Sequence, residues 1–527
     1  MQTFLKKAVC ALLVQAVAGA QLSLAAGALV WPTPSPHNRP PHLRPIQQQV
    51  TMRPAFEAPS ATHCQRPIET RELSDGQARP QPWPRPVPYG ELEPIMPKAR
   101  SERSTPSDTL YAPGAVHAPP AATAPAPALA SPSGAGAKKE EARAESNASK
   151  DLRGGGIPPR PPKPVAPAPI ADYPYPAQTQ AQQAVVTAGM VDDNAAFSEY
   201  LAYRERTQSQ LAYRERDVRE RYLLEVNDAQ GRGVPDAEVA VQAANGAATW
   251  LRTDAAGKGW IRPDAFDPRH SSFYDVTVRQ GGYQASAVLQ RGQKSAVEVQ
   301  LTAARLPARA KLDLVFLVDA TGSMGDEIDK LKSSLRSITD EVSRLPSHPD
   351  LCLGLVAYRD RGDAFFVRSH DLTNDVNAFQ GVLNALQAAA GGDEPEALSE
   401  ALHEAVHHIS WRGDQTTRLV VLLADAPPHL DYGGPQYDDG MMAALGKGIK
   451  LMSVGASGLN KQGEYIQRQM AQYTGGRFIF LTYADARSPS SGAGRETVHD
   501  VRNYSVQTLD KLIVRLVREE LEKLPKV

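Results

Sequence analysis

The chain of 527 residues carries only three cysteines, 6% aromatic residues and a formal net charge of -1. Each shortage excludes something. Cys10 lies in an apolar N-terminal stretch, Cys64 in proline-rich sequence and Cys352 in an apolar run, so the thiols offer no disulfide framework. A charge balance this close to zero gives no electrostatic reason to expect nucleic acid or an anionic membrane as partner. There is no G-x-x-x-x-G-K-[ST] loop and no dinucleotide glycine fingerprint, so nucleotide chemistry has no support. A clean membrane-spanning run is missing too. After Lys6 and Lys7, "AVCALLVQAVAGA" is followed by Gln21 and Ser23 and already contains Gln15. With A-x-A spacing at Ala18 to Ala20 and Ala26 to Ala28, residues 1–26 read as a cleaved export signal, a retained N-terminal anchor being the alternative.

What the chain has in quantity is proline, 44 residues of it, most of them between positions 27 and 190. Segments such as "PPRPPKPVAPAP" lack the apolar periodicity that offsets backbone ordering entropy, so 27–190 is expected to be a disordered spacer with no membrane insertion after signal cleavage. Residues 191–218 turn charged and repeat "LAYRER" at 201–206 and 211–216. Ten residues is close to three helical turns, so the expectation is one solvated, ion-paired helix. From 219 to 304, short alternating runs such as "RYLLEVND" and "FYDVTVRQ" are separated by turn sequence, which predicts a small β-sandwich. The run "GVPDAEVAVQ" with "TWLRTDAAGKGWI" resembles carboxypeptidase-regulatory-like or bacterial immunoglobulin-like modules.

After "LPARAK" the period changes again. "LDLVFLV" at 312–318 is apolar on both faces, as a buried parallel strand is, and strands then alternate with helical patterns to about 523. That alternation predicts an α/β fold, a doubly wound and mostly parallel sheet whose ligands bind at the carboxyl ends of the strands. Three loops at such ends carry polar residues. "FLVDATGSMGDE" places Asp319, Thr321 and Ser323 at alternate positions, "GGDEPE" holds Asp393, Glu394 and Glu396, and "LLADAPPH" ends a strand at Asp425. Carboxylates and hydroxyls without sulfur or paired histidine are hard ligands that suit Mg²⁺ first, with Mn²⁺ or Ca²⁺ as alternatives. The plain alternative is a helix N-cap at Asp319 or Ser323, and acidic residues favouring a helix dipole at Asp393 and Glu394.

On these residues, 311–523 resembles the von Willebrand factor type A domain. Loop one looks like its metal-ion-dependent adhesion site, D-x-S-x-S, with Thr321 in place of the middle serine. Most such domains supply a threonine from loop two, whereas "DEPE" is similar to the D-x-P-E of integrin β subunits and hemicentin-like extracellular proteins. "VAYRDRGD" at 356–363 is similar to sequences of the same subgroup. The resemblance implies Glu396 as a ligand, Asp393 close by at a second ion, and Asp425 acting through water. It also implies an open coordination position that takes a carboxylate from a partner protein.

Several motifs are expected to be inert. Arg361-Gly362-Asp363 and Arg412-Gly413-Asp414 sit where turns need glycine; His403, His407 and His408 lack the H-E-x-x-H pattern and read as a solvated helix face. His429, Asp431, Asp438 and Asp439 read as solvated loop, with the rim of the metal site as the alternative. The rival function is a serine hydrolase, since "TGSMG" nearly matches G-x-S-x-G and Ser323, Asp425 and His429 follow hydrolase order. Against it, Thr321 is β-branched where the elbow wants glycine. A scaffold with a non-functional metal site is the other alternative. The expectation is an exported, non-enzymatic, metal-dependent binding protein of the periplasm or cell envelope.

Overall fold

The centre of the computed structural model is the strand that the sequence makes apolar on both faces. β10 (Lys311–Asp319) lies between β11 (Asp350–Tyr358) and β13 (Thr416–Ala424), parallel to both. Leu314, Phe316 and Val318 enter one core while Val315 and Leu317 enter the other, so alternate residues of one strand hold helices on both faces. Ile328, Leu335, Ile338 and Val342 of α2 (Gly325–Ser343) share the first core with Phe379 of α3 (Val376–Ala385) and Leu512 and Leu516 of α7 (Leu509–Glu522). Buried residues of α4 (Leu398–His407), α5 (Tyr437–Lys447) and α6 (Lys461–Thr474) line the second. The doubly wound expectation holds, and β14 (Ile449–Gly455) and β15 (Arg477–Asp485) continue the parallel sheet.

The structure describes residues 64, 68–74, 185–302, 309–391, 394–413 and 415–525. The expected signal at 1–26 and most of the 27–190 spacer lie outside them. Two pieces of that spacer are structured, however, which corrects its boundaries. β1 (Thr70–Leu73) pairs antiparallel with β12 (Val367–Thr373), itself antiparallel to β11, and forms one edge of the sheet. β2 (Thr187–Val191) pairs antiparallel with β15 near the other edge, next to β17 (Gln507–Thr508), while β16 (Ser488–Ala493) folds back on β15. Strands from either side of the spacer therefore sit on opposite flanks of one sheet.

The cysteine expectation is wrong. Cys64 and Cys352 form a disulfide across a sequence separation of 288, with Cα atoms 5.7 Å apart. Both sulfurs are buried beside Asp313, but a disulfide sulfur is a poor ligand and Asp313 is held by Arg412 at 2.6 Å. Nothing in the sequence near Cys64 signals its partner, because β1 brings the two together.

The charged helix is also corrected. Only the first "LAYRER" is helical, in α1 (Phe197–Thr207); the second copy at 211–216 is not. There, side chains of neighbouring helices replace intrahelical bonds. The Arg214 N–H donates to the Tyr437 hydroxyl, and the Arg214 carbonyl accepts from Gln469. Arg214 and Arg216 each reach one oxygen of the fully buried Asp438, at 2.5 and 2.7 Å, and Arg204 donates to Tyr465. These arginines are buried rather than solvated.

Residues 222–301 form two small sheets. One orders β6 (Lys258–Ile261), β3 (Tyr222–Asp228) and β9 (Val297–Leu301); the other orders β5 (Ala248–Arg252), β4 (Glu238–Ala243), β7 (Phe273–Gln280) and β8 (Tyr283–Gln290). Asp236 ties them to the large sheet through Arg418 of β13 at 2.8 Å and also meets Arg252 of β5 at 3.2 Å. Burial alone would raise the Asp236 carboxyl, yet the two guanidinium groups hold it below its usual range.

The disulfide makes a covalent bridge across the spacer, and this gives a direct test. With a protease site placed between residues 99 and 180, the cut chain should run as one species without reductant and as two with it. Cys352→Ala should separate the fragments in both lanes and lower stability by about 2–5 kcal/mol. Two species without reductant would show that the bond does not form.

Candidate metal centre

Loop one begins where β10 runs out. Asp319 is fully buried and its Oδ1 accepts the Thr321 N–H at 3.0 Å and the Thr321 hydroxyl at 2.6 Å; Thr321 Oγ1 and Ser323 Oγ are 3.2 Å apart. The three oxygen donors of the motif are thus gathered in one turn, ahead of the acidic first turn of α2 with Asp326 and Glu327. Asp319 does not cap that helix through its side chain, which removes the plain N-cap reading.

Asp425 follows β13 directly, and β13 pairs with β10 up to Val318 opposite Leu423, so Asp319 and Asp425 end adjacent parallel strands. Loop two is brought to them by backbone contacts. Gly322 N–H donates to the Ala390 carbonyl at 2.8 Å, and a Cβ on Gly322 would stand 2.5 Å from that oxygen. Gly391, at φ +72°, leaves the space beside Thr321 and Glu396 open. Glu396 N–H donates to Pro427 carbonyl at 3.0 Å and its own carbonyl accepts from His429 N–H at 3.1 Å, joining loops two and three. Arg359, inside the "VAYRDRGD" run, donates to the Ala320 carbonyl at 3.1 Å and the Gln387 carbonyl at 2.8 Å. It fastens loop one to the chain that leads into loop two.

The result is a cluster of acids short of donors. Asp319 Oδ2, Asp425 Oδ1 and Glu396 Oε2 are all buried without a hydrogen-bond partner. Burial and then Asp425 push the Asp319 carboxyl up to about 7. Burial, then Asp319, Asp360 and Asp425, push Glu396 up to about 9, and Asp425 is raised chiefly by burial. Tyr358, opposite Asp319 in the register, keeps its hydroxyl protonated well above its ordinary range through burial and these same carboxylates. Hard oxygen donors with unsatisfied lone pairs at neighbouring loops are the donor type that a divalent cation of the Mg²⁺ class takes, although the oxygens of Asp319, Asp425 and Glu396 do not all lie within 4.8 Å of one another.

The other sequence-derived residues fall elsewhere. Asp393 lies outside the described residues, and Glu394 is turned to Asn460 at 2.5 Å. Asp438, expected in solvated loop, is buried against Arg214 and Arg216. His429 is largely covered; its ring stacks on Tyr432 at 3.5 Å and Nδ1 meets Asp431 at 2.9 Å, while Tyr432 donates to Asp360. His403 is buried, with its ring 4.5 Å from His407, not part of a solvated face; burial and neighbouring cations pull both well below the usual imidazole range, His403 to about 4 and His407 to about 2. Arg412 is buried on Asp313, which closes the second Arg-Gly-Asp to a partner, whereas Gly362 lies in an exposed turn at φ +87°.

With this geometry in place, the von Willebrand factor A domain profile matches residues 313–429. The chain contains a von Willebrand factor A domain. It is 34% identical over 115 residues to mouse von Willebrand factor A domain-containing protein 7, covering 22% of this chain and 12% of that protein. It is 29% identical to the Alpha-protein kinase vwkA of Dictyostelium discoideum over 142 residues, 26% of this chain and 22% of the kinase. Human Integrin beta-6 matches at 24% identity over 223 residues, 37% of this chain and 27% of the integrin. The pilus adhesin SpaC of Lactobacillus rhamnosus GG aligns with a TM-score of 0.25 at 14% identity, over 38% of this chain and 29% of the adhesin. The chain thus spans less than a third of the length of these relatives.

Crowded carboxylates trade stability for ligation. Glu396→Gln should raise the thermal midpoint of EDTA-treated protein, by relief worth about 1 kcal/mol or more, while weakening Mn²⁺ binding at least roughly tenfold. A lower midpoint in EDTA would mean that Glu396 is stabilised by its surroundings and is not waiting for a cation.

Proposed function

We propose that this chain is a non-enzymatic protein-binding module, an adhesion or scaffold protein, that captures an acidic group of a partner protein through a divalent cation. The observation that carries the reading is the trio of buried, unpartnered oxygens on Asp319, Asp425 and Glu396, delivered by three separate loops. In it Asp319, Thr321 and Ser323 hold the cation, with Mg²⁺ favoured over Mn²⁺ or Ca²⁺, Glu396 completes the shell and Asp425 orients a water. The cation supplies an electrophilic point for a carboxylate oxygen, which the acidic loops alone would repel. The matches to Integrin beta-6 and to von Willebrand factor A domain-containing proteins support a role in protein interaction.

The serine-hydrolase alternative is disfavoured by the partners found: His429 Nδ1 meets Asp431 and not Asp425, and the Ser323 hydroxyl is engaged with Thr321. We further propose export to the periplasm or cell envelope. The Cys64–Cys352 disulfide supports an oxidising compartment, and among the described residues no helix is long and apolar enough to cross a membrane. The two small sheets are read as an immunoglobulin-like sandwich that presents the metal-binding domain.

Titration calorimetry with Mn²⁺ should give one site that Asp319→Ala abolishes while the circular dichroism spectrum is unchanged. Capture of partners from the protein's own cells should be lost in EDTA and restored by Mg²⁺. Unchanged Mn²⁺ binding in Asp319→Ala defeats the site; capture indifferent to EDTA favours a scaffold with an idle metal site. Labelling of Ser323 by a fluorophosphonate would favour the hydrolase.

A further inference from the structure

At the opposite end of the sheet, where β14 and β15 begin, lies a cavity of about 160 Å³ walled on its other side by residues of β5, β6 and the turn between them. Its lining carries six cations, Arg252, Lys258, Arg262, Lys450, Arg477 and Lys523, against one carboxylate, Asp254. Most of these cations have acids nearby. Arg252 meets Glu238 at 2.8 Å, Lys258 meets Glu225 at 2.6 Å and Arg477 meets Asp192 at 2.8 Å. Lys450 and Lys523 share the single carboxylate of Glu520, and Asp254 stands 3.7 Å from Lys450.

Arg262 is different. It is 3% exposed, and no carboxylate among the described residues pairs with it. Its contacts are neutral groups, Tyr473 and Gln472 carbonyls at 3.0 Å each, Asn194 Oδ1 at 3.4 Å and the face of the Tyr473 ring at 4.9 Å, and its Nε is buried without a partner. Those carbonyls end α6, so one part of its task is to cap that helix. Carbonyl dipoles do not neutralise a buried guanidinium, and burial pulls its pKa down to about 10. A full positive charge is left beside a polar cavity flanked by Trp260 and Tyr473.

We infer that this cavity binds a small oxyanion carrying two negative charges, phosphate or a short dicarboxylate, with Arg262 as the charge that meets it and Lys258 at the mouth. Walls from both the small sheets and the large one line the cavity, so an occupant would brace the two against each other. The site is remote from the metal centre, and its failure leaves the metal reading untouched.

The test uses the full chain in EDTA, so that anions cannot bridge to a cation at the other end. Calorimetry and thermal melts with sodium phosphate, against sodium chloride of equal ionic strength, should show one saturable site and a rise in midpoint that chloride does not give. Trp260 emission should change with the same saturation. Arg262→Gln should weaken phosphate at least tenfold, and Arg361→Gln, a surface control, should not. Should Arg262→Gln fail to fold, Lys258→Gln, which is expected to weaken phosphate severalfold, decides. Succinate bound in place of phosphate keeps the site and assigns it to dicarboxylates. Refusal of both anions, a response equal in chloride, or full affinity in the folded Arg262→Gln or in Lys258→Gln overturns the inference.

Discussion

Burying a carboxylate oxygen without a donor costs roughly 1–3 kcal/mol, and the loops at the carboxyl ends of β10 and β13 bury oxygens of this kind from Asp319, Asp425 and Glu396. Mutual repulsion adds to that cost, since Asp425 acts on Asp319 and both act on Glu396. A cluster of this sort persists only if the scaffold is rigid enough to oppose it or something positive relieves it. The donors that are present, Thr321 N–H and the Thr321 hydroxyl, offset one oxygen of Asp319 and leave the other bare. The remaining lone pairs all belong to hard oxygens, the donor type that a small divalent cation would satisfy.

Rigidity comes from backbone more than from side chains. Parallel pairing of β10 with β11 and β13 fixes where the loops start, and the absence of a Cβ at Gly322 lets Ala390 rest on loop one. Arg359 then spans the two loops by donating to carbonyl groups of each, and the Glu396–His429 contact joins loop two to loop three. Substituting any of these contacts would move an oxygen of the acidic cluster without touching the residue that carries it. Tyr358 adds a buried hydroxyl to the same space, close enough for the carboxylates to hold its proton.

Asp319, Thr321, Ser323 and Asp425 were legible because each lies at the end of an apolar strand, a position local sequence defines. The fold was legible for the same reason, since β10, β11, β13, β14 and β15 each carry their own apolar signal. What escaped depends on partners far along the chain. "LAYRER" reads as helix in both copies, and only the buried Asp438 and Tyr437 explain why the second is drawn straight. Cys64 looks isolated until β1 adds an edge strand to β12 and sets it against Cys352. His403 looks like helix surface because nothing nearby in sequence announces what covers it.

The distribution of charge along the sheet follows from the polarity of a doubly wound fold. Helices begin at the carboxyl ends of the strands, where free N–H groups favour acids, and α2 and α5 both open with acidic residues, Asp326 and Glu327, Asp438 and Asp439. They end at the amino side, where free carbonyls favour bases. Arg262 takes the last carbonyls of α6, Arg477 donates to Gly475 and Gly476 just beyond it, and Lys523 follows α7. Helix dipoles alone would leave both ends electrically quiet. The acids at one end go past that balance in the carboxylates of Asp319, Asp425 and Glu396, and the bases at the other go past it in Arg262. Each excess sits beside the place where the backbone leaves room, which is the physical sense in which one sheet carries two charge clusters of opposite sign.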